Sequence, residues 1–308
     1  MSRFGVVFGA GAVAALLVGG VFVLDSAHAK SRQDPLPEIR RSEAQKPRVT
    51  KRAGNRQGAV LVLMYHKIGP KESYMVRSKA NFEKDLARLY RLGYRPVTLE
   101  EYSQNRMPLP RGASPVVLTF DDSDPTQFRL KPDGSIDPNC FVGVWAKFAK
   151  KYPDFPVKGT FFILPNGPFG QSKLASQKME MLRAWGSEIG SHTMTHTALN
   201  KLSDAKVSWE LGASYDYIAK LGFTARSFAT PYGIAPKNRT LLKRATWNGR
   251  TYGYENIVLA GSSPATSPLS KQFDRTRIPR VKAYGGELGI HDWLTKMKFG
   301  KPKPYVQP

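Results

Sequence analysis

The chain has few cysteines and few acidic residues. Cys140 is the only cysteine among 308 residues, so an intramolecular disulfide is impossible and a hydrophobic core must stabilise the fold. Asp and Glu number 24 against 47 Lys and Arg, which gives a formal net charge of +23. We find no internal repeat. With 41% hydrophobic residues, the chain is long enough for one large domain.

The N-terminus has the composition of an export segment. Arg3 is the only charge before an uncharged apolar run over residues 5–24, and Ala27-His28-Ala29 fits a small-residue cleavage site. We interpret residues 1–29 as a signal peptide. An uncleaved N-terminal membrane anchor is the alternative, because a run of this length can span a bilayer. On either interpretation the protein is exported: periplasmic, secreted or anchored to the membrane.

Residues 30–57 are rich in Arg, Lys, Pro, Gln and Ser and have few large apolar side chains. Such a segment buries too little apolar surface to offset chain entropy, so we predict a disordered basic tether. It carries nine basic and three acidic residues, a net charge of +6. Since residues 1–29 are neutral overall, the remaining part carries +17 of the +23.

The positive charge of the folded part bears on its partners. Its field should concentrate the protein near an anionic envelope polymer or a membrane surface. We expect no nucleic-acid partner, because an exported chain without a recognisable nucleic-acid module argues against one. A basic surface without any specific partner is the alternative. The oligomeric state is left open.

Residues 58–308 alternate strand and helix signals, which predicts a single α/β domain. Apolar strands are predicted over residues 59–66, 95–98, 116–120, 158–164, 188–190 and around 228. Helices are predicted over residues 82–93, 99–104, 141–152, 174–185 and 207–222. The alternation favours a parallel sheet closed, or nearly closed, into a barrel. A long polar loop over residues 124–139 is expected to shape a binding groove.

Two pairs of polar residues point to a metal site. Asp121 and Asp122 end a predicted buried strand, and His192 and His196 lie four residues apart, on one side if their segment is helical. Each pair alone has an ordinary explanation, as a turn or cap for the aspartates and as an exposed face for the histidines. Together they provide two imidazoles and a carboxylate, the ligands of a catalytic zinc-type site, and leave one aspartate free as a base.

Three motifs resemble those of the polysaccharide deacetylase family, the carbohydrate esterases with a NodB-homology domain. Thr119-Phe120-Asp121-Asp122 is similar to the family's T-F-D-D-G, and the segment from His192 to His196 is similar to H-[S/T]-x-x-H. The segment from Arg226 to Gly233 resembles R-x-x-x-x-P-[YF]-G. The motifs occur in the family's order, and the resemblance spans roughly residues 58–285. Ser123 departs from the pattern, which has Gly there.

The resemblance implies a fold and a set of roles. The fold would be a distorted (β/α) barrel of about seven parallel strands. Asp122, His192 and His196 would hold a divalent metal, Zn²⁺ in the first place, with Co²⁺, Ni²⁺ or Fe²⁺ as alternatives. Asp121 would be the base, with Arg226 paired to it. The last motif, through Pro231 and the backbone N–H of Tyr232, would line the substrate site and stabilise the oxyanion.

The general acid has two candidates. In the family a histidine at the end of an apolar strand protonates the departing amine. His66 ends the strand predicted over residues 59–66, whereas His291 follows a glycine-rich segment and precedes a predicted helix. We favour His66, whose place resembles that in circularly permuted family members such as the exported poly-N-acetylglucosamine deacetylases. The predicted activity is metal-dependent removal of N-acetyl groups from N-acetylhexosamine polymers. The alternatives are a catalytically idle carbohydrate-binding protein and an O-acetyl esterase acting on a glycan.

Overall fold

The computed structural model describes residues 52–308. The predicted signal peptide or anchor, residues 1–29, and most of the predicted tether lie outside the described residues. Within residues 52–308, no helix combines the length and the apolar character that a membrane crossing requires.

The described chain alternates strands with helices, as predicted. The strands are β1 (Leu61–Tyr65), β2 (Lys67–Ile68), β3 (Val76–Arg77), β4 (Tyr94–Val97), β5 (Ser114–Phe120), β6 (Thr160–Ile163), β7 (Glu188–Ser191), β8 (Ser227–Ala229), β9 (Ala245–Trp247), β10 (Arg250–Tyr252), β11 (Asn256–Val258) and β12 (Val281–Lys282). The α-helices are α1 (Lys79–Arg91), α2 (Leu99–Ser103), α3 (Phe141–Lys151), α4 (Ala175–Ala184), α5 (Asp204–Lys220), α6 (Thr240–Lys243) and α7 (Ile290–Lys298).

Eight of the strands form one parallel sheet. Seven lie in the order β11-β8-β7-β6-β5-β1-β12, and β4 pairs with the first half of β5. The sheet curls on itself, because Ile278, just before β12, forms a parallel bridge to Val258 in β11. The predicted parallel, nearly closed barrel is therefore confirmed, and seven strands form its continuous order. We call the carboxyl ends of the strands the mouth and the amino ends the floor.

The alternation of side chains along the strands creates two hydrophobic cores. In β5, Val117 points to the inside of the barrel, whereas Val116 and Leu118 point to the surrounding helices. In β1, Val62 faces inward and Leu63 outward in the same way. Both faces are buried, which explains why these strands are continuous apolar runs rather than alternating ones. The rigid sheet therefore fixes the positions of the residues that directly follow each strand at the mouth.

Side-chain caps define where two of the helices start. Ser78 accepts a hydrogen bond from the backbone N–H of Asn81 and begins α1, as its sequence position predicts. Thr98 and Glu101 form a reciprocal capping box at α2.

The 124–139 loop ends at α3, and it lines a cavity of about 490 Å³ beside the mouth rather than the pocket at the mouth itself.

The C-terminal tail closes the floor. The side chain of Tyr305 is buried in the inner core, and the backbone N–H of Ala59 donates to the Lys303 carbonyl at 2.9 Å. Asn55 forms an antiparallel bridge with Val306. Residues 52–57 were predicted as the end of the disordered tether, but they contact this tail. Their pairing with a distant segment left no periodic signal in the sequence.

Candidate active site

Three predicted metal ligands meet at the mouth. The Nε2 atoms of His192 and His196 lie 3.3 and 3.4 Å from Oδ1 of Asp122. One ligand atom from each residue falls within 4.8 Å of the other two. The strands β5 and β7 deliver these residues, since Asp122 lies two residues beyond one and His192 directly follows the other. Parallel strands thus bring residues 70 positions apart in the chain to one edge of the sheet.

The residues fit a divalent ion. Oδ1 of Asp122 is buried and has no hydrogen-bond partner among the described residues. Nδ1 of His192 lies 2.8 Å from the Ala229 carbonyl, to which it donates, and this leaves the Nε2 lone pair facing Asp122. A ligating histidine whose other ring nitrogen is fixed by a backbone carbonyl is the usual arrangement in metal sites. Two imidazoles and one carboxylate also leave coordination positions for water and substrate.

The histidines do not lie on a helix. The segment after β7 is a turn in which Thr193 and His196 have positive φ angles of 68° and 60°. The condition of a helical segment is therefore not met, yet both imidazoles face the same carboxylate. Glu210 stabilises the turn by accepting from the backbone N–H groups of Met194 and Thr195, each at 2.9 Å. The spacing of four is thus imposed by a hydrogen-bonded turn.

The turn after β5 explains how Ser123 replaces glycine. Asp122 and Ser123 have φ angles of 73° and 45°, in the left-handed region that favours glycine. Ser123 is held there by its hydroxyl, which donates to the Leu164 carbonyl and accepts from the Leu164 N–H, both at 3.1 Å. These bonds tie the end of β5 to the end of β6 and leave the metal site open.

Asp121 lies beside the metal site, but its partner is Arg280. The guanidinium donates to Oδ1 and Oδ2 of Asp121 at 2.6 and 2.7 Å, and both side chains are almost completely buried. Burial alone would raise the pKa of Asp121, but the charge and hydrogen bonds of Arg280, together with the charges of His192 and His66, outweigh it and hold that pKa well below the usual range. The carboxylate therefore stays ionised.

Arg226 does not pair with Asp121, so that prediction was wrong. It lies at the floor, just before β8, where its side chain is about half exposed and its Nη1 lies 2.6 Å from Oε1 of Glu255. The mouth and the floor are opposite ends of the strand, so an arginine that precedes β8 cannot reach an aspartate that follows β5. Arg280 comes from the segment joining β11 to β12, and no motif signalled it in the sequence.

His66 and His291 lie in different places. Nε2 of His66, directly after β1, is 3.8 Å from Oδ2 of Asp121. Burial lowers the pKa of His66, while the charges of Asp121 and Asp122 oppose this. Nε2 of His291 instead lies 3.1 Å from the buried Asp85, away from the metal site. The structure thus places His66, but not His291, beside Asp121.

The site opens into a pocket of about 210 Å³ with apolar walls. Of the six large hydrophobic side chains exposed within residues 52–308, three line this pocket: Tyr74, Met75 and Tyr232. The ring of Tyr232 contacts that of His196, with centroids 4.7 Å apart. Gly233, at φ 74°, lets the turn after Pro231 pass close to Ala260, since a Cβ there would lie 2.7 Å from the Ala260 nitrogen. Exposed aromatic rings around a polar centre suit stacking on sugar rings.

Comparison with known proteins agrees with this geometry. The family model for polysaccharide deacetylases matches residues 109–253, which contain both aspartates, both histidines and the third motif. YxkH of Bacillus subtilis (strain 168), whose name assigns it to the polysaccharide deacetylases, is 25% identical over 199 residues. The match spans 62% of this chain and 62% of that relative.

Solved structures share the fold. A deacetylase, PplD, from Streptococcus pyogenes superposes with a TM-score of 0.56 at 20% identity, over 78% of this chain and 99% of that one. The polysaccharide deacetylase BC0361 from Bacillus cereus gives 0.57 at 20% identity, covering 78% and 69%. IcaB from Ammonifex degensii gives 0.53 at 18% identity, covering 77% and 96%. The family model and the ordered motifs identify residues 109–253 as a polysaccharide deacetylase domain, and the solved structures share its fold.

Proposed function

We propose that the protein is an exported, metal-dependent hydrolase that removes N-acetyl groups from N-acetylhexosamine polymers and releases acetate. The observation that carries the proposal is the position of Asp121. This carboxylate is kept ionised by Arg280 and lies next to a metal ligand, yet it takes no part in the ligand set itself. A site that only bound carbohydrate would have no need of a free carboxylate there.

Asp122, His192 and His196 would hold the ion. A divalent cation there supplies Lewis acidity that activates water and polarises the acetyl carbonyl. Zn²⁺ suits two imidazoles and a carboxylate, and Co²⁺, Ni²⁺ and Fe²⁺ accept the same ligands. The Ala229 carbonyl, through its bond to Nδ1, fixes the orientation of the His192 ring.

The other residues move protons and bind substrate. Asp121 accepts the proton of the attacking water, whose oxygen forms the new bond to the acetyl carbon. His66, whose Nε2 lies 3.8 Å from Oδ2 of Asp121, gives a proton to the nitrogen as the C–N bond breaks, so that an amine and acetate leave. The backbone N–H of Tyr232 stabilises the developing oxyanion, and Pro231 sets the turn that holds it.

The substrate class rests on the pocket. Tyr74 and Tyr232, 53% and 65% exposed, stand at its rim and offer ring faces to neighbouring sugars of a chain. The early position of His66, before the metal motifs, leans towards β-1,6-linked poly-N-acetylglucosamine, while peptidoglycan and chitin-type oligomers use the same chemistry. An O-acetyl esterase on a plant or cell-wall glycan differs only in the bond that is cleaved.

Acetate release from defined oligomers tests the proposal. We expect the full chain to release acetate from N-acetylglucosamine oligomers, to stop when a chelator removes the metal, and to recover with Zn²⁺. Asp121→Asn should still bind the oligomers and zinc but release no acetate. Binding without release by the wild type would favour the idle carbohydrate-binding protein. Release from acetylated xylan alone would favour the esterase.

Export is part of the proposal and rests on the sequence of residues 1–29 alone. Cell fractionation and N-terminal sequencing of the mature protein would test it. A new N-terminus after Ala29 supports a cleaved signal, Met1 in a membrane fraction supports the anchor, and an intact cytoplasmic chain contradicts both.

A further inference from the structure

An exposed aromatic residue and three lysines form one surface at the floor. Phe299 directly follows α7 and is 71% exposed, more than any other large hydrophobic side chain of the described residues. Lys298, Lys301 and Lys303 are exposed around it. The Nζ atom of Lys298 lies 5.9 Å from the centre of the Phe299 ring. We call residues 298–303 the Phe299 surface.

All the charged residues of the Phe299 surface are positive. The sequence has no acidic residue from 293 to 308, and none from 44 to 71. The nearest acidic residue on α7, Asp292, is in the first turn of the helix and is already paired with Lys296 at 2.9 Å. The cations of the Phe299 surface therefore face outward without a local counter-charge from their own segment.

The N-terminal chain enters the domain beside the Phe299 surface. The backbone N–H of Ala59 donates to the Lys303 carbonyl at 2.9 Å, and the side chain of Asn55 donates to the Pro304 carbonyl at 3.0 Å. Arg56 is exposed in the same stretch. About 50 residues precede this point, and they begin with the apolar run over residues 5–24. A chain that carries an apolar segment thus reaches the folded part next to an exposed phenylalanine.

The surface also lies at the end of the barrel opposite to the site. Ala59 is at the floor and His66 at the mouth, with β1 between them. At about 3.3 Å per residue in an extended strand, roughly 20 Å separates the two levels. A partner bound at the floor would leave the pocket at the mouth accessible to a polysaccharide substrate.

From these observations we infer that the Phe299 surface binds an anionic lipid bilayer, with the Phe299 ring at the level of the head groups and the lysines on lipid phosphates. An aromatic ring among lysines is the combination found on proteins that lie on membrane surfaces. Each lysine near an anionic leaflet strengthens binding roughly fivefold. A soluble anionic polymer would pair with the lysines but offers no apolar layer for the ring, which decides between the two partners.

A reporter at position 299 tests the inference on the full chain. Cys140 is only 3% exposed, so Phe299→Cys creates the one accessible thiol for an environment-sensitive fluorophore. We expect a blue shift and stronger emission with vesicles containing phosphatidylglycerol, and little change with phosphatidylcholine alone. Because the apolar run would recruit the chain to both kinds of vesicle, the difference between them reports the contribution of anionic lipid, and the lysine variants below separate the Phe299 surface from the basic segment 30–57. The same label at Ser73→Cys, beside the mouth, should not respond.

Lysine variants supply the matched comparison. Replacing Lys298, Lys301 and Lys303 by Gln in the labelled chain should raise the lipid concentration for half response at least tenfold. Replacing Lys147, Lys150 and Lys151 on α3 by Gln makes the same change in net charge and should leave it unaltered. Equal responses on neutral vesicles, equal effects of the two triple variants, or the same response with a soluble polyuronate would each overturn the inference. The last outcome would assign the surface to an anionic polymer.

Discussion

Arg280 holds Asp121 by two hydrogen bonds, of 2.6 and 2.7 Å, although 159 positions separate them in the chain. The same guanidinium donates to the Leu259 carbonyl and to the Thr119 hydroxyl, at 2.9 and 3.0 Å. Arg280 therefore joins the segment before β12 to the end of β5. It orients the proposed base and compensates its charge inside the barrel.

Removal of Arg280 should inactivate the enzyme. Arg280→Gln leaves the buried Asp121 without its cation, which should lower the free energy of unfolding by roughly 3–5 kcal/mol and kcat by about 10²–10⁴-fold. Arg280→Lys keeps the charge but loses the paired geometry, so it should recover stability more than kcat. Thermal unfolding and acetate release measure the two effects.

The matched control is Arg226→Gln, at the floor. Its side chain is about half exposed and pairs with Glu255 and Glu100, so the stability change should stay within about 0.5 kcal/mol and kcat should not change. If Arg226→Gln abolished activity while Arg280→Gln did not, the assignment of Arg280 would be wrong.

The two histidine candidates can be separated by substitution. His66→Ala should lower kcat by about 10²–10⁴-fold at unchanged metal content, because it removes the proposed proton donor, whose Nε2 lies 3.8 Å from Oδ2 of Asp121. His291→Ala should keep kcat near that of the wild type but lose about 1–2 kcal/mol of stability, since it removes contacts with Asp85 and Arg88. A larger kcat loss for His291→Ala would reverse the assignment.

Metal binding should stabilise the fold through Asp122. Its buried Oδ1, which has no hydrogen-bond partner among the described residues, would bind the metal ion. Zinc at a thousandfold excess over Kd should therefore raise the free energy of unfolding by about 4 kcal/mol. His192→Ala should remove most of this effect and weaken zinc binding by at least about 100-fold. Calorimetric melts with and without zinc measure the shift. His291→Ala is the control histidine, and equal zinc shifts in both variants would contradict the ligand set.

Stability should also depend on pH through Glu188, at the floor. Its carboxylate accepts hydrogen bonds from the Thr160 hydroxyl and the Glu100 N–H, and burial raises its pKa to about 7. The folded state therefore holds this proton more tightly than the unfolded state, where the pKa is near 4.5. Its stabilising contribution is complete below the unfolded pKa and is lost as pH rises through 7.

Glu188→Gln should remove this dependence. Between pH 5 and pH 8 the variant should gain roughly 2–3 kcal/mol relative to the wild type, as measured by urea unfolding at each pH. A difference that stays constant across this range would show that Glu188 is already ionised in the folded protein.

The sequence predicted the fold well because the strands are local signals. Residues 114–120 and 61–65 are apolar runs, and each ends where the site residues begin. His66, Asp121 and Asp122 could be predicted as site residues since they directly follow such runs. Parallel pairing then brings the strand ends together whatever their separation in the chain.

The features that the sequence did not predict have a common physical cause. Arg280 reaches Asp121 only because a segment before a two-residue strand completes the barrel, and such a segment has no periodicity. The left-handed turns at Asp122 and His196 are held through their neighbours: Ser123 bonds to Leu164, and Thr195 bonds to Glu210. Contacts of this kind depend on tertiary neighbours, which local propensity does not encode.

The placement of Tyr305 has a consequence for biosynthesis. β1 pairs with residues 281–282, and Tyr305, which is buried in the inner core, comes later still in the chain. The ring of strands therefore stays open until residues 281–305 have emerged from the ribosome. Nascent chains that stop short of Tyr305 would expose the inner apolar lining, so they should be readily cleaved by proteases.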